Sequence, residues 1–314
     1  MLSYIAQRLL TAIPALMVVA VIAFLVVHML PGDPAVAMAG PDTTPEEIEA
    51  IRVRLNLNDP IWTQFTVWFG KVLRGDFGRS IWHGVPVGSL LAQALPITAL
   101  LVGGGYLLAT ILAFAMGVSA ALARRKPSRA LWAVTLAVTY GIPGFWFAIL
   151  LIIVFSTTLH WFPTSGYASI SEDFGRALWY MTLPWVVVGI KNGSMIARYV
   201  KSGLEEEMDA MYVTVARSKG LRETSVVWHH AIRNALIPVV TIIGMQIGLS
   251  LAGIIIQETI FNLPGLGRLT ILSISQRDYP VIQAIILFVG SGFIVINLMV
   301  DLVYSYIDPR IKYD

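Results

Sequence analysis

An all-α integral membrane protein with six transmembrane helices is the fold class this sequence predicts, on three observations. Of 314 residues, 56% are hydrophobic and 13% charged, where a soluble domain carries about a quarter charged; the mean hydropathy is +0.73. Six stretches reach the roughly 20 helical residues that a bilayer crossing needs. Lys and Arg gather in alternate connectors between them, as the positive-inside rule describes. A soluble enzyme is thereby excluded. With no cysteine, so are disulfides, thiolate metal sites and cysteine nucleophiles. Of five histidines only His229 and His230 are close together. An adjacent pair points to different faces of a helix, so no metal site is expected. A net charge of +3 is too mild to imply nucleic acid.

The first span covers 9–30. Ala35-Val36-Ala37 resembles a small-residue cleavage site, but an apolar run this long exceeds the ~7–15 residues of a secretory signal core, so the helix is expected to be retained. The segment 31–95 follows and divides in two. Thr44-Pro45-Glu46-Glu47 reads as a helix start, with Ile48, Ile51 and Leu55 at helical spacing. Trp62, Phe65, Trp68 and Phe69 form a second amphipathic stretch, expected to pack over the bundle or rest at the membrane interface rather than bind a ligand.

The second span covers 97–123. The third, 131–159, contains Gly141-Ile142-Pro143-Gly144, and a proline inside a helix removes a backbone bond and kinks it. The fourth, 178–200, holds Pro184 and then Gly189-Ile190-Lys191-Asn192-Gly193; the fifth, 235–256, holds Gly244-Met245-Gln246-Ile247-Gly248. Both of these strings fit GxxxG, which lets helices approach closely. The sixth covers 281–304. Connector 124–130 carries four basic residues and no acid, and 201–234 carries five, so both connectors and both termini are expected in the cytoplasm, with 31–95 outside.

The connector 201–234 is patterned. Ser202-Gly203-Leu204-Glu205 fits a capping box. Glu205, Glu206, Glu207 and Asp209 precede Arg217 and Lys219, an order that complements a helix dipole, and Gly220 is placed to end the helix. Met208, Met211, Tyr212 and Val215 make one apolar stripe. Spacing alone leaves two readings even: a helix lying on the membrane, or one docking into a groove of a cytoplasmic partner.

Polar groups inside spans are costly and point to function by default. Lys191 could attract a substrate carboxylate, pair with Asp301, or snorkel. Asn192, Gln246, Gln257 and Asn297 could line a path or bond between helices. No catalytic residue is assigned: an intramembrane enzyme needs a pair such as Ser with Lys or two Asp, and only Lys191 with Ser194 comes near. No G-x-x-x-x-G-K-[ST] phosphate loop occurs; Gly70-Lys71 is followed by valine.

Ala216-Arg217-Ser218-Lys219-Gly220-Leu221, followed by His230-Ala231-Ile232-Arg233-Asn234-Ala235-Leu236-Ile237-Pro238, resembles the cytoplasmic signature of binding-protein-dependent ABC importer permeases of the dipeptide/oligopeptide type, the glutathione importers among them. Pro31-Gly32-Asp33-Pro34, Leu55-Asn56-Leu57-Asn58-Asp59-Pro60, Leu73-Arg74-Gly75-Asp76-Phe77-Gly78 with Ser80, the stretch from Glu258 to Gly267, Arg277-Asp278-Tyr279-Pro280 and Asp308-Pro309-Arg310 are similar too. Val215 and Ser218 stand where the family string more usually has alanine.

The resemblance implies a type I importer permease fold in the inner membrane. Residues 1–95 would be the N-terminal helix and external segment of peptide permeases, 96–306 the transmembrane domain with its coupling connector 201–234, and 307–314 a cytoplasmic tail. Met211, Tyr212, Val215, Ala216, Arg217, Lys219, Gly220 and Leu221 would contact an ATPase subunit. The implied partners are a second, related permease forming a heterodimer, two ATP-binding subunits that hold ATP and Mg2+, and an external substrate-binding protein. The chain itself would hold no cofactor. The implied cargo is a short peptide or glutathione-like compound, with a nickel chelate or other small solute as the alternative. An ion-driven transporter without ATPase partners is the remaining rival.

Overall fold

A computed structural model describes residues 2–29, 34–39, 43–54 and 56–307. Pro31-Gly32-Asp33, Leu55 and the tail from Asp308 lie outside the described residues, as does the side chain of Asp301. The described chain is helical, and an isolated bridge between Arg79 and Pro86 is its one extended pairing. In order, the helices are α1 (Leu2–Met29), α2 (Pro34–Ala39), α3 (Pro45–Arg54), α4 (Ile61–Val72), α5 (Val87–Ala121), α6 (Lys126–Gly141), α7 (Gly144–Leu151), α8 (Phe174–Met208), α9 (Met211–Ser218), α10 (Glu223–Ser225), α11 (Ile232–Gly253), α12 (Ile255–Ile260), α13 (Leu266–Gln276) and α14 (Tyr279–Ile307). π-helical turns extend α7 over Ile152–Thr158 and lead into α11 over Val226–Ala231.

Three helical stretches are long and apolar enough to cross a membrane: Arg8–Met29, Val87–Ala121 and Tyr279–Val300. Two bent pairs raise that number to five if each is one span. One is α6 with α7, where the kink expected at Gly141–Gly144 is a 96° break: α6 stops at Ile142, and Pro143 begins a new helix. The other runs from Glu223 to Ser250. The expected fourth span lies in α8, which is 35 residues long. With Lys191 and Asn192 at its centre, α8 is not among the stretches apolar enough to pass the same test.

The chain divides into two compact units, residues 1–98 with 264–294, and 99–263 with 295–314. In the first, the helix start expected at Thr44 is present as a capping box: the Thr44 amide and hydroxyl both donate to the Glu47 carboxylate at 2.9 and 3.0 Å. The backbone bond from Thr44 holds the Glu47 carboxyl below the usual carboxylate range. The aromatic stretch of α4 packs on α1, with Phe24 5.4 Å from Phe65 and 5.6 Å from Trp68 between ring centres; Trp62 stays exposed. Two similarity blocks 198 residues apart also meet here. The Asp278 carboxylate, 1% exposed, accepts from the Ser80 hydroxyl at 2.5 Å and the Ile81 amide at 3.2 Å. Below this latch Val87, Leu91 and Ala94 pack with Leu266, Val281, Ala284 and Ile285.

The second unit is built on α8. Glycines let α5 lie directly against it: a Cβ added at Gly105 would fall 2.5 Å from Val188, and one at Gly193 2.9 Å from the Ala109 carbonyl oxygen. Gly189 of the first GxxxG faces Leu108 in the same way. Gly203 brings α8 onto α11, 3.2 Å from the Ala235 carbonyl oxygen by the same measure.

The capping box expected at Ser202–Glu205 is not a helix start. Those residues lie inside α8, which continues to Met208 because Val200 and Leu204 remain fully buried on one face. The break falls at Asp209-Ala210, and α9 has eight residues. Lys201 and Glu205 form an i,i+4 pair at 3.7 Å, so part of the acid-to-base gradient belongs to α8.

Candidate functional site

α9 is held from three sides. Underneath, Val213 and Ala216 are buried in a cluster with Leu204, Val226, Val227, Ala231, Ile232 and Ala235. At its start, the Tyr212 hydroxyl bonds to the Glu207 carboxylate and accepts from the Asn234 amide at 3.0 Å. Burial, and then the Glu207 bond, push the Tyr212 hydroxyl up from its ordinary value. At its end, the Arg217 guanidinium clasps Glu223 with two bonds of 2.9 and 3.3 Å. That pairing is the largest reason the Glu223 carboxyl sits below the usual range. Arg124, from the other basic connector, lies 3.9 Å from the same carboxylate. Gly220 adopts φ +77°, the left-handed conformation that lets it end the helix.

What remains outward is apolar. Met211 is 83% exposed, and Tyr212, Val215 and Leu221 are exposed as well. With Lys219 and His230 they line an open groove of about 630 Å3 floored by Ala216. The expected contact set is therefore divided. Met211, Tyr212, Val215, Lys219 and Leu221 face out, Ala216 faces inward at 5% exposure, and Arg217 is committed to Glu223. The positioning roles of Glu207, Glu223 and Asn234 were not expected from the sequence. Asn234 lies inside the His230–Pro238 block and Glu207 in the charge gradient, whereas Glu223 had no signal.

The polar span residues separate too. Lys191 and Asn192 line a cavity of about 170 Å3 with Val188, Ser250, Ile254 and Gln257. Gln246 does not: its side-chain amide meets the Met195 sulfur, and its carbonyl accepts from Tyr106 at 2.8 Å. The Ser194 hydroxyl donates to the Lys191 carbonyl oxygen at 2.8 Å, so Lys191 and Ser194 form no nucleophile–base pair. Pairing of Lys191 with Asp301 lies outside the described residues. Glu258 is fully buried at 0% exposure. A larger open groove of about 880 Å3 lies along α6 and α8, but its charges are engaged, Arg198 over the Tyr140 ring at 5.5 Å and Lys201 with Glu205.

Apolar helices with small-residue seams, a long polar-centred helix and a short amphipathic helix clamped on a connector define a multi-pass membrane protein with an exposed apolar groove on that connector. Residues 113–313 match the family model described as binding-protein-dependent transport system inner membrane component, and residues 1–101 match the N-terminal model of such membrane components. The chain belongs to that family of transport-system permeases. It is 42% identical over 316 residues to the glutathione transport system permease protein GsiC of Salmonella typhimurium, covering 100% of both chains. It is 39% identical over 319 residues to a putative peptide transport system permease protein of Brucella abortus, again covering 100% of both. To a probable peptide ABC transporter permease protein of Sinorhizobium fredii it is 37% identical over 315 residues, covering 99% of each.

Proposed function

We propose that this permease forms half of the translocation path of an ATP-driven importer of short peptides, including glutathione-like compounds. The observation that carries the reading is the exposed apolar groove on α9, a helix fixed on its other sides in a chain of this family. A helix clamped at both ends passes rigid-body motion into what it is joined to, here α8 through Glu207 and Tyr212, and α11 through Asn234. Full-length similarity to proteins named for glutathione and peptide transport supports the cargo.

On this reading the chain crosses the membrane six times, α8 supplying the span that composition leaves short. Both termini and both basic connectors are cytoplasmic, and 31–95 is external. The boundaries 1–95, 96–306 and 307–314 keep their proposed roles. A second, related permease completes the path, two ATP-binding subunits seat on the α9 grooves, and a binding protein delivers cargo from outside. With no phosphate loop in the chain, ATP and Mg2+ belong to the ATPase subunits. A nickel chelate is the alternative cargo.

The test is co-purification followed by uptake of labelled peptide into vesicles. Co-purified ATPase subunits with ATP-dependent uptake are the expected result, and ATP-independent uptake overturns the proposal.

A further inference from the structure

We infer that the Lys191 cavity receives the free carboxylate end of the cargo, an inference that rests on the peptide reading above. Lys191 stands midway along α8, where an ammonium without a counter-charge is costly. Among the described residues no ion pair or hydrogen bond reaches that ammonium. Its head lies beside Gly144, the first residue of α7: a Cβ added there would be 3.3 Å from Lys191 Nζ and 3.5 Å from Gln257 Nε2. α7 begins at the 96° break, so Lys191 stands beside the start of a discontinuous helix. Such ends are where membrane carriers hold anionic substrate groups.

The second observation is at Gln257. Its side chain lines the same cavity, and its Nε2 is the atom that lies near Gly144 beside the lysine head. The cavity thus offers a cation and an amide donor close together. A peptide carboxylate matches both, one oxygen meeting Lys191 and the other meeting Gln257 Nε2. The cavity's 170 Å3 is well below the ~300–1,000 Å3 of pockets that enclose whole ligands, which suits one terminal residue. Gly144 has no side chain where that residue would lie.

The complex, in proteoliposomes with its binding protein, is offered trialanine and S-methylglutathione. If wild type imports neither, the peptide reading fails and this inference with it. On a peptide that is imported, Lys191→Met is expected to lower uptake about tenfold, the loss of one charge-assisted contact, while Lys191→Arg keeps most of it. Because the chain has no cysteine, Asn192→Cys supplies its single thiol in the same cavity and keeps the lysine. The free-acid peptide is expected to slow alkylation of that thiol, and the C-terminal amide is not. Equal protection by acid and amide, or unchanged uptake in Lys191→Met, overturns the inference and leaves the peptide reading standing. Should the Lys191 variants fail to assemble, Gly144→Ala decides: it keeps the lysine and fills the space beside it, so reduced uptake is expected and wild-type uptake overturns the inference.

Discussion

Asp278 shows how a single buried carboxylate joins two distant parts of the chain. It is 1% exposed, and its oxygens satisfy Ser80 and the amide of Ile81. Replacement by alanine leaves those donors buried and unmet, which costs about 1–3 kcal/mol per group. Asp278→Ala is therefore expected to lower the thermal unfolding midpoint of the purified protein clearly, and Ser80→Ala to lower it less. Glu223 gives a pH-dependent counterpart. Its carboxyl is lowered in the folded state, first by its bonds to Arg217. Its contribution is then complete above the unfolded carboxylate value of about 4.3 and is lost as pH falls through the lower folded value. Both side chains are 40% exposed, so the pair contributes at most about 1 kcal/mol. Amide exchange in residues 211–218 is expected to show no loss of this contribution between pH 8 and 5, and a loss below about pH 4. Glu223→Gln should exchange faster at pH 7. Asp278 was visible in the sequence only inside the Arg277–Pro280 block, without its partner, and Glu223 only as a charge, because neither a buried latch nor a two-bond clasp leaves a local pattern when its partners are far apart or across a turn.

At the scale of the element, the α5–α8 seam depends on missing side chains. A Cβ at Gly117 would fall 2.8 Å from the Ala197 carbonyl oxygen, whereas one at Gly103 meets nothing within 4 Å. Gly117→Ala forces backbone apart and is expected to cost about 1–3 kcal/mol. Gly103→Ala on the same helix should change the unfolding midpoint little, and equal effects would contradict the seam. Local signals succeeded where the deciding contacts are local: Thr44-Pro45-Glu46-Glu47 caps α3, Pro143 restarts the helix after Ile142, and Gly220 ends α9. They failed at Ser202-Gly203-Leu204-Glu205. Leu204 is buried and Gly203 lies against Ala235, so tertiary packing carries α8 through a sequence that would start a helix in isolation. The third span's break was legible, but its 96° angle was not, because an angle is set by what the two halves pack against.

For the whole molecule, composition established the membrane class, and the family blocks established the family. The site was legible in part. Of the expected stripe, Met211, Tyr212 and Val215 stand outward, whereas Met208 ends α8 and packs against the buried cluster under α9. Ala216 turned inward because an eight-residue helix must bury one face to be held at all. Lys191 and Asn192 share a cavity, yet Gln246 falls outside it, since GxxxG spacing sets which helices approach and not which side chains converge.

The central claim is that α9 transmits ATP-driven motion through its outward groove. The most direct measurement is ATP hydrolysis and peptide uptake by the reconstituted complex carrying Met211→Asp and Val215→Asp, two exposed changes that leave the buried Val213 and Ala216 untouched. The account predicts that the permease remains folded while ATPase association or ATP-dependent uptake is lost. Uptake and its ATP dependence equal to wild type in that variant would contradict it.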